Sequence, residues 1–159
     1  LKNPGLLRSL ILCDTSSRIP EEALPVLEER IGLARKEGMD ALVEPTMERW
    51  FTASYRRKPN AALDKIRGMI RATPLKGYVG CSRAIMKLNL TERLGQIAKP
   101  TLILVGEEDP GTPVAASQVL HQQIKGSELV ILKSAAHLSN IEQSDAFNAA
   151  VLDFLGHRT

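Results

Sequence analysis

Aromatic residues and cysteines are scarce in this 159-residue sequence. Aromatic side chains make up 4% of it, and the cysteines are Cys13 and Cys81. Two cysteines form no disulfide framework, and no C-x-x-C motif is present to bind a metal or to carry redox chemistry. This pattern is typical of a reducing compartment and predicts a cytoplasmic location. Because aromatic side chains are so few, the hydrophobic residues, which make up 43% of the sequence, must build the core from Leu, Ile, Val and Ala, as in most buried parallel strands.

Long apolar runs are absent as well. No stretch approaches the ~20 residues that span a bilayer, and no basic-then-apolar leader is present, so we expect no membrane association. Charge is uneven, with 18 Lys and Arg against 11 Asp and Glu in residues 1–99, and 3 against 7 in residues 100–159. The densest basic cluster, Arg56-Arg57-Lys58, lacks the interleaved aromatic residues of RNA-binding surfaces. We interpret it as a solvated surface and expect no nucleic-acid partner.

The order of apolar patterns predicts an α/β protein with a helical insertion. A strand over residues 8–14 is followed by about eighty residues with helical spacing, and the alternation of strand and helix then returns. A helical block inserted into such an alternation is typical of a lid over the carboxyl ends of the strands. We predict a core strand at 1–14, a helical cap at 15–73 and the rest of the core at 74–159. The later predicted elements are strands over 101–105 and 129–132 and helices over about 114–124 and 141–155.

Each of the two later strands runs into a loop with a residue suited to proton transfer. Asp109 follows the first of these strands, and His137, 28 residues later, follows the second. A carboxylate and a histidine in this order, each after a strand, match the last two members of the Ser, Asp, His triad of α/β-hydrolases. A histidine base also needs a carboxylate to hold its tautomer. We therefore predict Asp109 as the acid and His137 as the base of such a triad.

Two alternatives concern the acid. Glu107 and Glu108 precede Asp109, and three adjacent acids could form a metal site or a solvated turn before a helix. A metal site gathers ligands from several segments, and the sequence has no second acidic cluster, so we predict no metal. Asp14 also ends a strand and is the fallback acid, although with the Thr-Ser-Ser run after it we interpret it as a turn residue.

The serine of the triad has no place in this sequence. No G-x-S-x-G elbow precedes Asp109. Gly80-Cys-Ser82-Arg-Ala84 fits a loosened form of the motif, but no apolar strand precedes it and Ser82 falls on a helical stripe. The sequence therefore predicts the C-terminal part of a hydrolase whose nucleophilic serine lies on an N-terminal half outside this chain. We expect the chain alone to be inactive.

Several segments resemble one family closely. These are Glu48-Arg-Trp-Phe-Thr52, Gly77-Tyr-Val-Gly-Cys81, Pro100-Thr-Leu-Ile-Leu-Val-Gly106 and Ala135-Ala-His-Leu-Ser-Asn-Ile-Glu-Gln143. They resemble the 3-oxoadipate enol-lactonases of bacterial aromatic catabolism, members of the α/β-hydrolase superfamily. The resemblance implies hydrolysis of an enol-lactone without cofactor or metal, with Asp109 as triad acid, His137 as base and Trp50 in the pocket. The carboxylate of such a substrate requires a cation, for which Arg49 or a lysine of the cap is the source.

Other functions remain open at this stage. The same scaffold supports a general carboxylesterase or a cofactor-free haloperoxidase-like hydrolase, because fold does not fix chemistry. A cationic pocket favours the lactone acid, whereas an apolar pocket favours simple esters. The chain could also be a non-catalytic piece or one half of a split protein, and a homo-oligomer is possible.

Overall fold

A parallel β-sheet organises the protein, whose computed structural model describes residues 2–157. Its strands are β1 (Leu10–Cys13), β2 (Thr101–Gly106) and β3 (Glu128–Leu132), in the order β1-β2-β3. Leu10 pairs with Thr101, and Leu102 pairs with Glu128. Every residue of the central strand is buried, as its unbroken apolar run predicts. The predicted α/β class and the three predicted strands are confirmed, although β1 is shorter than the span 8–14.

Helices fill the intervals between the strands. In residues 2–157, the α-helices are α1 (Leu24–Glu37), α2 (Val43–Trp50), α3 (Ala53–Arg56), α4 (Ala61–Ala72), α5 (Leu75–Met86), α6 (Val114–Gln123), α7 (Ser139–Glu142) and α8 (Ser144–Gly156). Short 3-10 turns lie at Pro4–Leu6, Glu21–Ala23, Met39–Leu42 and Thr91–Gln96.

Local sequence signals explain where the helices of the insertion begin and end. Helix α1 ends at Glu37, and the next residue, Gly38, has a φ of 85°, a left-handed conformation that glycine adopts without strain. The side chain of Asn60 caps α4 by accepting a hydrogen bond from the Ala62 amide. The same helix ends at Ala72, just before Thr73-Pro74, because a residue that precedes proline disfavours helix.

Two apolar layers cover the sheet. One cluster packs α8 on the sheet and contains Leu102, Leu104, Leu132, Ala135 and Phe154. The opposite face packs against α6 through Ile103, Leu120 and Ile124, together with Leu94. Alternate residues of β2 therefore belong to opposite clusters, as the period of two in a strand requires. The result is a sheet with a layer of helix on each face.

The helical insertion has its own core, and backbone hydrogen bonds join its two ends at the base. Val43, Met47, Phe51, Leu63 and Ile70 form a buried cluster between α2 and α4. At the base, the Ile19 amide donates to the Leu88 carbonyl and the Leu90 amide donates to the Ser17 carbonyl, at 3.2 and 2.8 Å. Helix α5 packs against α1 inside this closed segment. The division into a cap at 15–73 and a core that resumes at 74 remains a prediction.

The end of the chain differs from the predicted single helix over 141–155. Two helices, α7 and α8, meet at Gln143, whose φ and ψ of −127° and 52° interrupt the helix. The continuous apolar pattern across this point hid the break. None of the helices in residues 2–157 has the length and apolar character that a membrane crossing requires.

Candidate active site

The site lies where the carboxyl ends of the three strands meet. The turn after β2 and the loop after β3 are joined backbone to backbone, because the Glu107 amide donates to Leu132 and the Glu108 amide donates to Ala135, both at 2.9 Å. A Cβ atom at Gly106 would stand 2.2 Å from the Ala136 carbonyl oxygen. Only glycine permits so close an approach, and this approach brings the two loops together.

Asp109 and His137 meet across this junction. His137 Nδ1 lies 2.8 Å from Asp109 Oδ2. The same oxygen accepts a hydrogen bond from Thr112 Oγ1 at 2.6 Å, and Asp109 Oδ1 accepts from the amides of Gly111 and Thr112 at 2.8 and 3.0 Å. The Asp109 side chain is fully buried, whereas that of His137 is 29% exposed. One carboxylate held by the protein therefore orients a partly accessible imidazole.

Electrostatics keep Asp109 ionised. Burial raises the pKa of its carboxyl, but the hydrogen bonds from His137 and Thr112 outweigh burial, so the pKa lies below its ordinary value. An ionised carboxylate only accepts hydrogen bonds, so the Nδ1 atom of His137 carries the proton in this contact. The lone pair of the neutral ring is then on Nε2, the nitrogen that does not face Asp109.

Trp50 packs over the histidine. The two rings are stacked, with centroids 6.3 Å apart and an interplanar angle of 28°. Trp50 also packs against the core of the insertion, and its carbonyl accepts a hydrogen bond from the Leu138 amide at 3.0 Å. It therefore contributes both to the helical core and to the wall beside His137.

Asp14 does not contact the histidine. Its Oδ1 accepts a hydrogen bond from the Gly106 amide at 2.8 Å, and its Oδ2 accepts from the Ser139 hydroxyl at 2.6 Å. Its φ of 44° suits the turn that the sequence predicted, although its carboxylate binds distant partners. Burial raises the pKa of Asp14, against the opposing effect of the Ser139 and Gly106 hydrogen bonds. Asp109 is thus the carboxylate paired with His137, and Asp14 joins the ends of the strands.

A cleft of about 370 Å³ opens above the pair. Its lining includes Asp109, His137, Trp50 and Arg49, so the four residues predicted for the site lie around one cavity. It also includes Arg30 from α1, which the sequence did not indicate as a site residue. The apolar spacing of α1 showed which residues are buried but carried no signal that one arginine faces the same cleft.

The two arginines bring positive charge to the cleft. Burial lowers the pKa of Arg49 to about 10, and the positive charge of Arg30 contributes to the decrease. Arg49 Nη2 donates to Thr46 Oγ1 at 3.3 Å, while its Nε is buried without a hydrogen-bond partner among the described residues. Both guanidinium groups remain charged at neutral pH. A buried donor without a partner next to a second cation favours an anion in this part of the cleft.

A second cleft of about 580 Å³ adjoins the first. It lies between α1 and the turn that leads into α6, and its apolar lining includes Val26, Leu27, Pro113 and Val119. Arg30 and Pro110 line both clefts. The combined space therefore has a cationic end beside His137 and an apolar end away from it.

The remaining candidates lie apart from this arrangement. Ser82 is buried within α5, on no turn between a strand and a helix. Glu107 forms an ion pair with Lys133, which lowers the pKa of the Glu107 carboxyl. Within residues 2–157, no three His, Cys, Asp or Glu side chains are grouped in a way that could hold a metal ion.

Comparison with known proteins agrees with this architecture. The 3-oxoadipate enol-lactonase 2 of Acinetobacter baylyi is 30% identical over 148 residues, which are 93% of this chain and 54% of that protein. The crystal structure of the enol-lactonase from Burkholderia xenovorans LB400 superposes with a TM-score of 0.89 at 36% identity, over 94% of this chain and 56% of that one. A thermophilic esterase from Thermogutta terrifontis superposes with a TM-score of 0.89 at 28% identity, over 99% of this chain and 59% of that one. The chain spans about half the length of the relatives it matches.

Fold, site and relatives together define the class: the chain has the C-terminal portion of an α/β-hydrolase fold. Within that superfamily it belongs to the family described as TAP-like protein, whose profile matches residues 75–158. The matched region contains both Asp109 and His137. The predicted resemblance to the enol-lactonases is confirmed by these comparisons.

Proposed function

We propose that this chain supplies the acid, the base and part of the substrate pocket of a serine-type carboxylic ester hydrolase that acts on a lactone, 3-oxoadipate enol-lactone. The observation that carries the proposal is the 2.8 Å contact between the buried carboxylate of Asp109 and Nδ1 of His137 at the end of the sheet. The same cleft holds cationic and aromatic side chains suited to a small carboxylate-bearing substrate.

The proposed reaction follows the logic of acyl transfer. A serine Oγ attacks the lactone carbonyl carbon, and Nε2 of His137 takes the serine proton. The carbonyl oxygen becomes an oxyanion, and its collapse breaks the bond to the ring oxygen, to which His137 gives the proton, so that this oxygen leaves as an enol and tautomerises to a ketone. Water then attacks the acyl-enzyme carbonyl while His137 takes a proton from it, and collapse of the second oxyanion breaks the bond to the serine oxygen, which receives that proton from His137. Asp109 stabilises the imidazolium in both steps without becoming protonated.

The serine belongs to a segment outside this chain in this proposal. Strand β1 pairs with β2 along one edge, and among the described residues no strand pairs with its other edge. An open edge of Leu10–Cys13 can accept a further parallel strand. We infer that the N-terminal half of the hydrolase pairs there and places its nucleophile near Nε2 of His137.

Substrate charge is the basis for favouring the lactone acid. Arg49 and Arg30 would bind the free carboxylate of the substrate, and Trp50 would cover its ring. A simple carboxylesterase is the second candidate, because the adjoining 580 Å³ cleft is mostly apolar, despite Arg30 at its junction with the first cleft, and could take an uncharged ester group. The similarity to the thermophilic esterase supports this alternative as well.

A serine-directed fluorophosphonate probe tests the proposal. We expect residues 1–159 alone to show neither labelling nor turnover of an activated ester. With the N-terminal half supplied, labelling and turnover should appear together, and mass spectrometry should locate the label on a serine outside this chain. Turnover by residues 1–159 that Ser82→Ala abolishes would contradict the proposal. The activated ester, assayed beside the enol-lactone, separates general esterase activity from lactonase activity.

A further inference from the structure

A third carboxylate, Glu142, links two parts of the site without lining the cleft. Its Oε1 accepts hydrogen bonds from the Thr52 amide at 2.9 Å and from the Thr52 hydroxyl at 2.7 Å. Its Oε2 accepts a hydrogen bond from the Ala136 amide at 2.6 Å. Both oxygens of one side chain are therefore used, each on a different segment of the protein.

The two linked segments carry the groups around the cleft. Thr52 follows Arg49 and Trp50 at the end of α2, and Ala136 immediately precedes His137. The same segments also touch directly, through the stacking of Trp50 on His137 and through the Leu138 amide, which donates to the Trp50 carbonyl. Glu142 thus spans the junction between the aromatic wall and the histidine loop.

The chemistry of this junction requires a carboxylate. All three partners of Glu142 are donors: two backbone amides and one hydroxyl. A carboxylate offers acceptors on both oxygens, whereas glutamine offers one carbonyl oxygen and one NH₂ group that cannot accept. Glutamine can therefore accept from only one of the two backbone amides, that of Thr52 or that of Ala136, although its shape is nearly unchanged.

We propose that Glu142 is a positioning residue that couples the segment bearing Arg49 and Trp50 to the loop bearing His137. This inference rests on the proposed function, in which both segments meet the substrate. Through this coupling, the pocket wall keeps a fixed place relative to the base. Loss of the carboxylate then loosens the contact between Trp50 and His137 while the core of the fold remains.

The test uses the fluorescence of Trp50, the single tryptophan in the sequence. Because protonated imidazole quenches indole emission at contact distance, emission measured against pH reports how closely His137 is held to Trp50. Asp14 and Asp109 also titrate near His137, so the transition is assigned by its loss in His137→Gln. The measurement needs no turnover, and its outcome is therefore independent of the proposed reaction.

The comparison includes Glu142→Gln and, as a matched control, Asp145→Asn on the exposed start of α8. Wild-type protein and Asp145→Asn should show the same His137-dependent transition. In Glu142→Gln, the amplitude of the His137-dependent transition in Trp50 emission should fall by about half or more, because one of the two backbone amides loses its acceptor. The far-UV circular dichroism should be unchanged. If Glu142→Gln fails to fold, Thr52→Val keeps the bond from the Thr52 amide to Glu142 but removes the bond from the hydroxyl, together with the cap that this hydroxyl gives the Tyr55 amide, and it should give a smaller loss. A wild-type transition that Glu142→Gln leaves intact, or a wild-type emission that does not depend on His137, would overturn the proposal.

Discussion

The carboxylate of Asp14 accepts a hydrogen bond from the hydroxyl of Ser139 at 2.6 Å, across 125 positions of sequence. Through its other oxygen, Asp14 binds the Gly106 amide at the end of β2. One side chain at the end of the edge strand therefore fixes the central strand and the helix that follows the histidine loop. This contact stabilises the fold and does not require a charged side chain, whereas the contact between Asp109 and His137 does.

Replacement of Asp14 tests that distinction. Asparagine can keep both contacts, with its carbonyl oxygen on the Gly106 amide and its NH₂ group on the Ser139 oxygen, and it tolerates a positive φ. We expect Asp14→Asn to change the free energy of unfolding by less than about 1 kcal/mol, because the Gly106 amide and the Ser139 oxygen each keep a hydrogen bond to the side chain. Asp14→Ala should cost about 2–4 kcal/mol, from two unsatisfied groups and a strained φ of 44°. Urea unfolding measures both, and equal losses in the two variants would contradict the assignment.

The approach of the two loops at Gly106 gives a second prediction. A methyl group there would overlap the carbonyl oxygens of Ala135 and Ala136, which are backbone atoms and cannot rotate away. Gly106→Ala should destabilise the protein by about 3 kcal/mol or prevent folding. Gly77→Ala on α5 is the matched control, since no heavy atom lies within 4 Å of its Cβ position. It should stabilise the helix by up to about 1 kcal/mol, as calorimetry can show. Similar melting temperatures for the two variants would count against the close approach.

The dependence of stability on pH separates the buried Asp109 from the half-buried Asp14. The pKa of Asp109 is lowered in the folded protein, so its ionised form adds stability above the unfolded pKa, and this contribution is lost as the pH falls through the folded pKa. The pKa of Asp14 is raised, so its contribution is present below the unfolded pKa and is lost as the pH rises through the folded pKa. The loss in free energy of unfolding relative to wild type should be largest at pH 7 for Asp109→Asn. For Asp14→Asn, this loss should be largest at acid pH. Urea unfolding at several pH values between 3 and 7 checks the two signs.

The cationic end of the cleft predicts a charge-dependent substrate preference. With the N-terminal half supplied, Arg49→Gln should raise KM for the carboxylate-bearing enol-lactone by about 10- to 100-fold, the worth of a hydrogen bond to a charged group. A neutral activated ester should be affected little. Arg83→Gln, on the exposed face of α5, is the control for total charge. Equal effects of Arg49→Gln on both substrates would favour the general esterase.

Much of the fold and the central pair could be predicted, because both leave local signals. The buried strands are unbroken apolar runs, and Asp109 and His137 each follow one of them in the order of a known triad. The role of Asp14 could not be predicted, since its partners Gly106 and Ser139 lie 92 and 125 positions away. Arg30 and Glu142 resemble ordinary surface charges in sequence. Arg30 lies beside Arg49, and Glu142 binds Thr52 90 positions away, and only tertiary structure reveals these neighbours.

Turnover by Asp109→Asn decides whether Asp109 is the carboxylate that orients His137 during the reaction. Asparagine would favour the wrong tautomer of His137, so in the protein supplied with its serine we expect a loss of up to ~10⁴ in kcat with the fold retained. Glu107→Gln, Glu108→Gln and Asp14→Asn should each cost tenfold or less, because none of these carboxylates holds the imidazole, so the tautomer is preserved. A large loss of kcat in Asp14→Asn, with kcat of Asp109→Asn close to wild type, would contradict the assignment of Asp109 as the carboxylate that orients His137.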